Sequence, residues 1–196
     1  MTLKKEITRD DIMALEDYVA VRKEKKQALT AVKKNRRMEI GPHATFYFEN
    51  YETMWHQVQE MLYIERGGEE QIADELAAYN PLIPQGRELV ATVMFEISDP
   101  DRRAAVLAKL GGVEETMWIR VGGETVTGIA ETDVDRTNAD GKASSVQFVH
   151  FPFTDAQAEA FRSGAEVVVG FSHENYSHMA VMPKAVQDAL AQDFEA

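Results

Sequence analysis

The chain reads as an α+β protein: N-terminal helices, then a mostly antiparallel sheet of about five or six strands carrying short helices on one side. Three observations lead there. Apolar residues recur at spacings of three and four through roughly the first eighty positions, the period of a half-buried helix. From "RELVATVMFEI" onward the period falls to two, the mark of strands. No alternating βαβ series occurs, which disfavours a dinucleotide-binding sheet.

Each element has its own signal. Thr8 is a candidate N-cap with Asp11 three residues on, an acidic form of the capping box. Ile12, Leu15 and Val19 continue as an apolar stripe. The following "RKEKKQALTAVKKNRR" reads as an exposed basic helix, or as two helices broken near Lys25; Arg36 and Arg37 suit the negative pole at its end. "MEIGPHATFYF" is an extended segment broken at Gly41-Pro42. Asn50 caps a helix whose inward face is Tyr51, Met54, Trp55, Val58, Met61 and Leu62. Gly67-Gly68 ends it, and "EEQIADELAAYNP" is a second, shorter helix stopped at Asn80-Pro81.

In the strand-rich half, Asp99-Pro100 opens a short helix. "ETMWIRV" and "ETVTGIAE" flank Gly122-Gly123, a two-residue hairpin signal. "SSVQFVHFPF" is apolar on both faces, as a central strand would be. Thr154 and Gly164 bracket a helix, "AEVVVGFS" and "HMAVMP" are strands around the turn "HENYS", and "KAVQDALAQDFEA" closes as a helix. Residues 1–37 read as a basic helical arm and 38–196 as one α+β domain.

Composition excludes several functions. There is no cysteine, so disulfides, iron–sulfur clusters, thiolate metal sites and a cysteine nucleophile are ruled out. The N-terminal stretch lacks the apolar run of a secretory signal, and no segment has the length of a membrane span, so the sequence reads as cytoplasmic. The net charge of −12 is uneven. Residues 1–37 hold eleven Lys and Arg against six Asp and Glu; the remainder holds ten against twenty-seven. The acidic body repels a phosphate backbone, so nucleic acid is a disfavoured partner even with the basic stretch from Arg22 to Arg37. That stretch also lacks the interleaved aromatics of a single-strand platform. Lys25, Lys26, Lys33 and Lys34 are instead candidates for docking a protein partner by charge complementarity.

Two groups could ligate a metal. Glu49, Glu52 and His56 share a helix face at spacings of three and four, and carboxylate with imidazole suits iron, zinc or manganese. The di-iron bundles space Glu-x-x-His by three and repeat it; here His56 follows Glu52 by four, without a second copy. The plain alternative is a solvated acidic face. In "SHENYSH", His173 and His178 lie five apart across a turn and could converge on one divalent ion, with Glu52 and His56 completing it. The plain alternative is a polar hairpin turn. His150, alone in an apolar strand, reads as a hydrogen-bonded residue. "DVDRTNADG" imitates a calcium loop, but Asn138 and Ser144 stand where glycine and glutamate are required, so that reading is rejected. No G-x-S-x-G, P-loop, H-E-x-x-H or G-x-G-x-x-G motif occurs.

Four separated stretches, "KKNRRMEIGPHATFYFENYETMWHQVQEMLYIE", "YNPLIPQGRELVATVMFEI", "GKASSVQFVHFPF" and "FSHENYSHMAVMPKAVQDALAQDF", resemble a bacterial family of unknown function, from Tyr18 to Phe194. The resemblance implies no activity and names no catalytic residue. It implies gene neighbours that are rubrerythrin-like and iron–sulfur oxidoreductase-like, and hence an accessory role near peroxide or iron chemistry. The family's Asp-His-Pro-x-Tyr element falls on "SHENY": His173 and Tyr176 match it, while Ser172 and Glu174 depart. Nor does the family require histidine at position 56. The expectation is therefore a non-enzymatic accessory or interaction protein in a redox or iron-handling system. Its partner would be a rubrerythrin-like or iron–sulfur protein, and self-association is compatible with the sequence. The alternatives are a metal-binding protein or metal-dependent enzyme, and a nucleic-acid binder.

Overall fold

The computed structural model describes residues 3–132 and 136–195. A 3-10 turn, Arg9–Asp11, leads into helix α1 (Leu15–Lys34). Then come strands β1 (Arg37–Ile40) and β2 (Ala44–Phe48), and helices α2 (Tyr51–Glu65) and α3 (Glu69–Tyr79). Strand β3 (Glu88–Phe95) and helix α4 (Pro100–Leu107) precede β4 (Met117–Val121), β5 (Glu124–Thr127), β6 (Ile129–Ala130) and β7 (Val146–Pro152). Helix α5 (Asp155–Arg162), β8 (Val167–Phe171), β9 (Met179–Val181) and α6 (Lys184–Leu190) complete the order.

The fold is α+β, with the strands parted into two antiparallel sheets. One runs β1-β2-β3-β7-β6 and the other β5-β4-β8-β9. The parting occurs at Gly128. The stretch "ETVTGIAE" reads as one strand, yet β5 pairs with β4 and β6 with β7 in the other sheet. A Cβ on Gly128 would stand 2.7 Å from Val149, 2.9 Å from the Met117 carbonyl and 2.9 Å from Phe151. Only a residue without a side chain turns that corner, as strands that switch sheets commonly require.

Alternation then builds the core. Phe46, Phe48, Leu89, Val93, Val149 and Phe151 face inward from the first sheet; Met117, Ile119, Val167, Val169 and Phe171 meet them from the second. The opposite face of the first sheet is covered too. Val90 and Phe148 pack on Met54 and Val58 of α2, Ile72 of α3, and Ile7 and Ile12 from the N-terminal segment. This two-sided cover is why β7 is apolar on both faces.

Several local signals hold. Asn50 caps α2, its side chain accepting from the Thr53 amide while the Thr53 hydroxyl accepts from the Asn50 amide. Gly122 and Gly123 both take positive φ between β4 and β5. The start of α1 differs from expectation. Thr8 caps only one 3-10 turn, and α1 begins at Leu15 and runs unbroken past Lys25. Ile12 is buried outside the helix, whereas Leu15 and Val19 are 43% and 51% exposed. The buried anchor of α1 is Tyr18, and it is the helix's only fully buried side chain. Arg36 does not cap the helix either. It is buried, donating to the Phe48 and Glu49 carbonyls, both at 3.0 Å, and pairing with Asp193.

Candidate functional site at the junction of α1 and α2

The face of α2 carrying His56 and Glu60 is covered by α1 instead of by water. The cause is a stripe on α1: Tyr18, Arg22 and Lys26 recur every four residues and therefore share one side of the helix. All three converge on Glu60. The Tyr18 hydroxyl donates to Glu60 at 2.7 Å, Arg22 makes a two-pronged contact at 2.7 and 2.8 Å, and Lys26 pairs at 3.0 Å. The Arg22 guanidinium, followed by the Tyr18 and Lys26 donors, holds the Glu60 carboxyl down at about 2. Tyr18 moves the other way: burial and the Glu60 carboxylate push its phenol up.

His56 joins this network. It is 8% exposed, and its Nε2 lies 3.4 Å from the Tyr18 hydroxyl. That hydroxyl has one proton and gives it to Glu60, so towards His56 it can only accept. The Nε2 atom therefore carries the imidazole proton, and Nδ1 is a bare acceptor. Burial lowers the pKa of His56, and Lys33, Lys26 and Arg22 lower it further against the opposing field of Glu60. At neutral pH the ring is uncharged.

Beyond this network α1 stands off from α2 and leaves a groove of about 380 Å³. Leu29 and Val32 form one wall; Tyr51, Trp55, Glu52 and His56 form the other. The Trp55 indole N–H donates to the Asp11 carbonyl at 2.8 Å, which fixes the ring. Lys25 Nζ lies 5.3 Å from the centre of the Trp55 ring, and Lys4 Nζ lies 4.7 Å from that of Tyr51.

The other predicted ligands lie elsewhere. Glu49 is buried and accepts from the Thr53 and Thr92 hydroxyls at 2.5 and 2.7 Å, so it ties the first turn of α2 to β3 from within the core. His173 has both ring nitrogens engaged: Nδ1 accepts from the Asn175 amide at 3.1 Å and Nε2 donates to the Gly111 carbonyl at 3.1 Å. His178 is exposed, packed edge-on to Tyr176 with ring centres 4.6 Å apart. Glu52 and His56 share the groove. Among the described residues no three His, Asp or Glu side chains are grouped so as to hold a metal ion. The rejected calcium loop includes Asp133 and Asp135, which lie outside the described residues.

Lys25, Lys26, Lys33 and Lys34 are all exposed on α1. Trp55, expected in the core, packs half-buried against it and also lines the groove, while Tyr18 and Arg22 are not expected at this site. The four-residue repeat of Tyr18, Arg22 and Lys26 was the available signal.

A family model described as a protein of unknown function, DUF3501, matches residues 6–194. The chain belongs to that family. Among solved structures it is similar to a novel protein of unknown function from Burkholderia pseudomallei K96243, with 36% identity and a TM-score of 0.90. The match covers 96% of this chain and 99% of that one. No curated protein matches. The DUF3501 assignment fits the resemblance of the four motifs, and the geometry shows what two residues of "SHENY" do. His173 shapes its own turn. The Tyr176 hydroxyl donates to the Ile40 carbonyl at 2.7 Å and accepts from the His43 and Ala44 amides at 3.0 and 2.9 Å. In this DUF3501 chain that one side chain ties the β8–β9 turn to the β1–β2 hairpin. No helix among the described residues is long and apolar enough to cross a membrane.

Proposed function

We propose that the protein is a non-catalytic interaction protein that docks an acidic partner on the exposed basic residues of α1. One observation carries this reading: a helix of twenty residues contributes a single fully buried side chain. A helix kept for packing would bury a continuous stripe. This one displays Lys23, Lys25, Lys26, Lys33 and Lys34 to solvent. Glu60 holds Tyr18, Arg22 and Lys26, so the basic face is presented on a fixed support. A net positive charge on a rigid element, six Lys and Arg against Glu16, Asp17 and Glu24, speeds encounter with an acidic surface and sets its orientation.

The resemblance supplies the partner class: a rubrerythrin-like or iron–sulfur protein, which would make this chain an accessory to redox or iron handling. The test is binding of purified rubrerythrin-like protein to the immobilised chain across a salt series. Replacing Lys25, Lys26, Lys33 and Lys34 with glutamate is expected to weaken capture at least about tenfold at low salt. Equal capture by the wild-type and charge-reversed chains refutes docking through α1.

A further inference from the structure

We propose that a second groove, between α1 and the last turn of α2, docks a short acidic peptide segment of the partner, with one apolar side chain set between carboxylates. The inference rests on the docking reading of α1 and names the feature the partner must carry. The sequence builds the site. Val19, Lys23, Lys26 and Thr30 recur at spacings of four, three and four, so they share a stripe along α1. Tyr63 of α2 closes the other side of a groove of about 390 Å³. It flanks the Tyr18–Arg22 ridge on the side away from Leu29 and Val32.

Charge selects the occupant. Arg22, Lys23 and Lys26 line the groove, and no carboxylate does. Glu60 lies beneath, 12% exposed, and takes Arg22 and Lys26 from below, so three cations stand against one carboxylate. Arg22 spends Nε and one terminal nitrogen on Glu60; its other terminal nitrogen has no partner among the described residues. Its guanidinium carbon stands 4.3 Å from the centre of the Tyr63 ring, which fixes both walls. Lys23 is exposed and forms no ion pair among the described residues. The α1 carboxylates lie off the stripe. Glu16 is seven residues before Lys23, about two turns away, and Glu24 is about 100° round the helix from it. The apolar element is Val19, 51% exposed at the groove, with Leu15 one turn earlier at 43%. An aliphatic side chain seated on Val19 and Tyr63 would place flanking carboxylates at Lys23 and Lys26. A nucleic-acid strand offers phosphates as well, but it carries its charge past the groove onto an acidic body.

The probe is a synthetic peptide in which one leucine sits between two pairs of glutamates, titrated into the full chain and followed by amide NMR shifts along α1. Saturable shifts centred on Val19 to Lys26 are expected in the millimolar range. Glutamine in place of the glutamates is expected to weaken binding at least about tenfold, and serine in place of the leucine about fivefold. Lys23→Ala should weaken it at least about threefold, whereas Lys33→Ala with Lys34→Ala, outside the groove, should change it less than twofold. Both sites are exposed, so these variants keep the fold. Absence of saturable shifts, equal affinity for the glutamine peptide, affinity unchanged in Lys23→Ala, or tighter binding of a thymidine oligonucleotide each overturns the proposal. Capture of a rubrerythrin-like partner through α1 that is unchanged in Lys23→Ala overturns the groove and keeps the docking reading. Peptide binding without capture of that partner supports the groove and refutes the partner.

Discussion

Arg36 and Asp193, 157 positions apart in the chain, form a buried ion pair that fastens the C-terminal segment to the start of β1. Their side chains are 5% and 6% exposed. The same guanidinium serves the Phe48 and Glu49 carbonyls, so its donors are well used. Removing one partner strands the other charge in the interior. Asp193→Ala or Arg36→Ala is expected to destabilise the chain by about 3–5 kcal/mol in urea denaturation. Arg36→Met combined with Asp193→Leu should lose clearly less than the two single losses added. Additive losses would show that the pair acts as two independent contacts.

Tyr176→Phe isolates one hydroxyl. Its loss leaves the His43 and Ala44 amides and the Ile40 carbonyl without their partner, while the ring packing with Phe95 and Phe171 is kept. The expected loss is about 2–3 kcal/mol, since two donors and an acceptor go unmet. Amide exchange should quicken first in the β1–β2 hairpin. A loss under about 0.5 kcal/mol would mean the hydroxyl is not what fastens that hairpin.

Glu60 gives the chain an acid-sensitive joint. Its carboxyl sits at about 2 in the folded state against an ordinary 4.5. A depressed carboxylate stabilises above its unfolded value and loses that contribution as pH falls towards the folded one. Stability attributable to α1 is therefore expected to fall by about 2 kcal/mol between about pH 4.5 and about pH 2. Glu60→Gln should remove that slope and lower stability at neutral pH. An identical acid limb in the variant would place the sensitivity elsewhere.

His150 behaves in the opposite sense. Its Nδ1 meets Glu88 from β3 at 2.9 Å and its Nε2 meets Glu131, just after β6, at 2.6 Å. The hydrogen bond to Glu88, with a second to Glu131, raises its pKa against the effect of burial. A raised histidine stabilises fully below its unfolded value of about 6.5, and that contribution is lost as pH rises through the folded value. Melting temperature is expected to decline above about pH 6.5 in the wild type, and to be flatter in His150→Gln. Imidazole NMR shifts titrating at or below the ordinary value would refute this.

The legible parts of the fold were those set by neighbours in sequence: the Asn50 cap, the Gly122-Gly123 hairpin and the alternation of β3 and β7. The second sheet was hidden because Gly128 looks like an ordinary strand glycine until Val149 and Phe151 crowd its α-carbon. The candidate site was half legible. Glu52 and His56 stood out through their spacing, but a helical pattern shows which residues share a face and not what covers it. The partner of that face, Tyr18 with Arg22 and Lys26, comes from a separate helix, about forty residues upstream. His173 looked like a ligand because the sequence cannot show that its two nitrogens are spent on backbone groups.

The single buried anchor of α1 also has a consequence for the order of events in folding. Detaching α1 exposes little beyond Tyr18, the Glu60 contacts and the groove walls, so it requires less free energy than unfolding the two sheets. Its amides should then exchange through a local opening while those of β3 and β7 wait for global unfolding. The groove exists only while α1 is seated. Whatever occupies it holds α1 against α2, and slowed exchange along α1 reports that occupancy without a signal from the ligand itself.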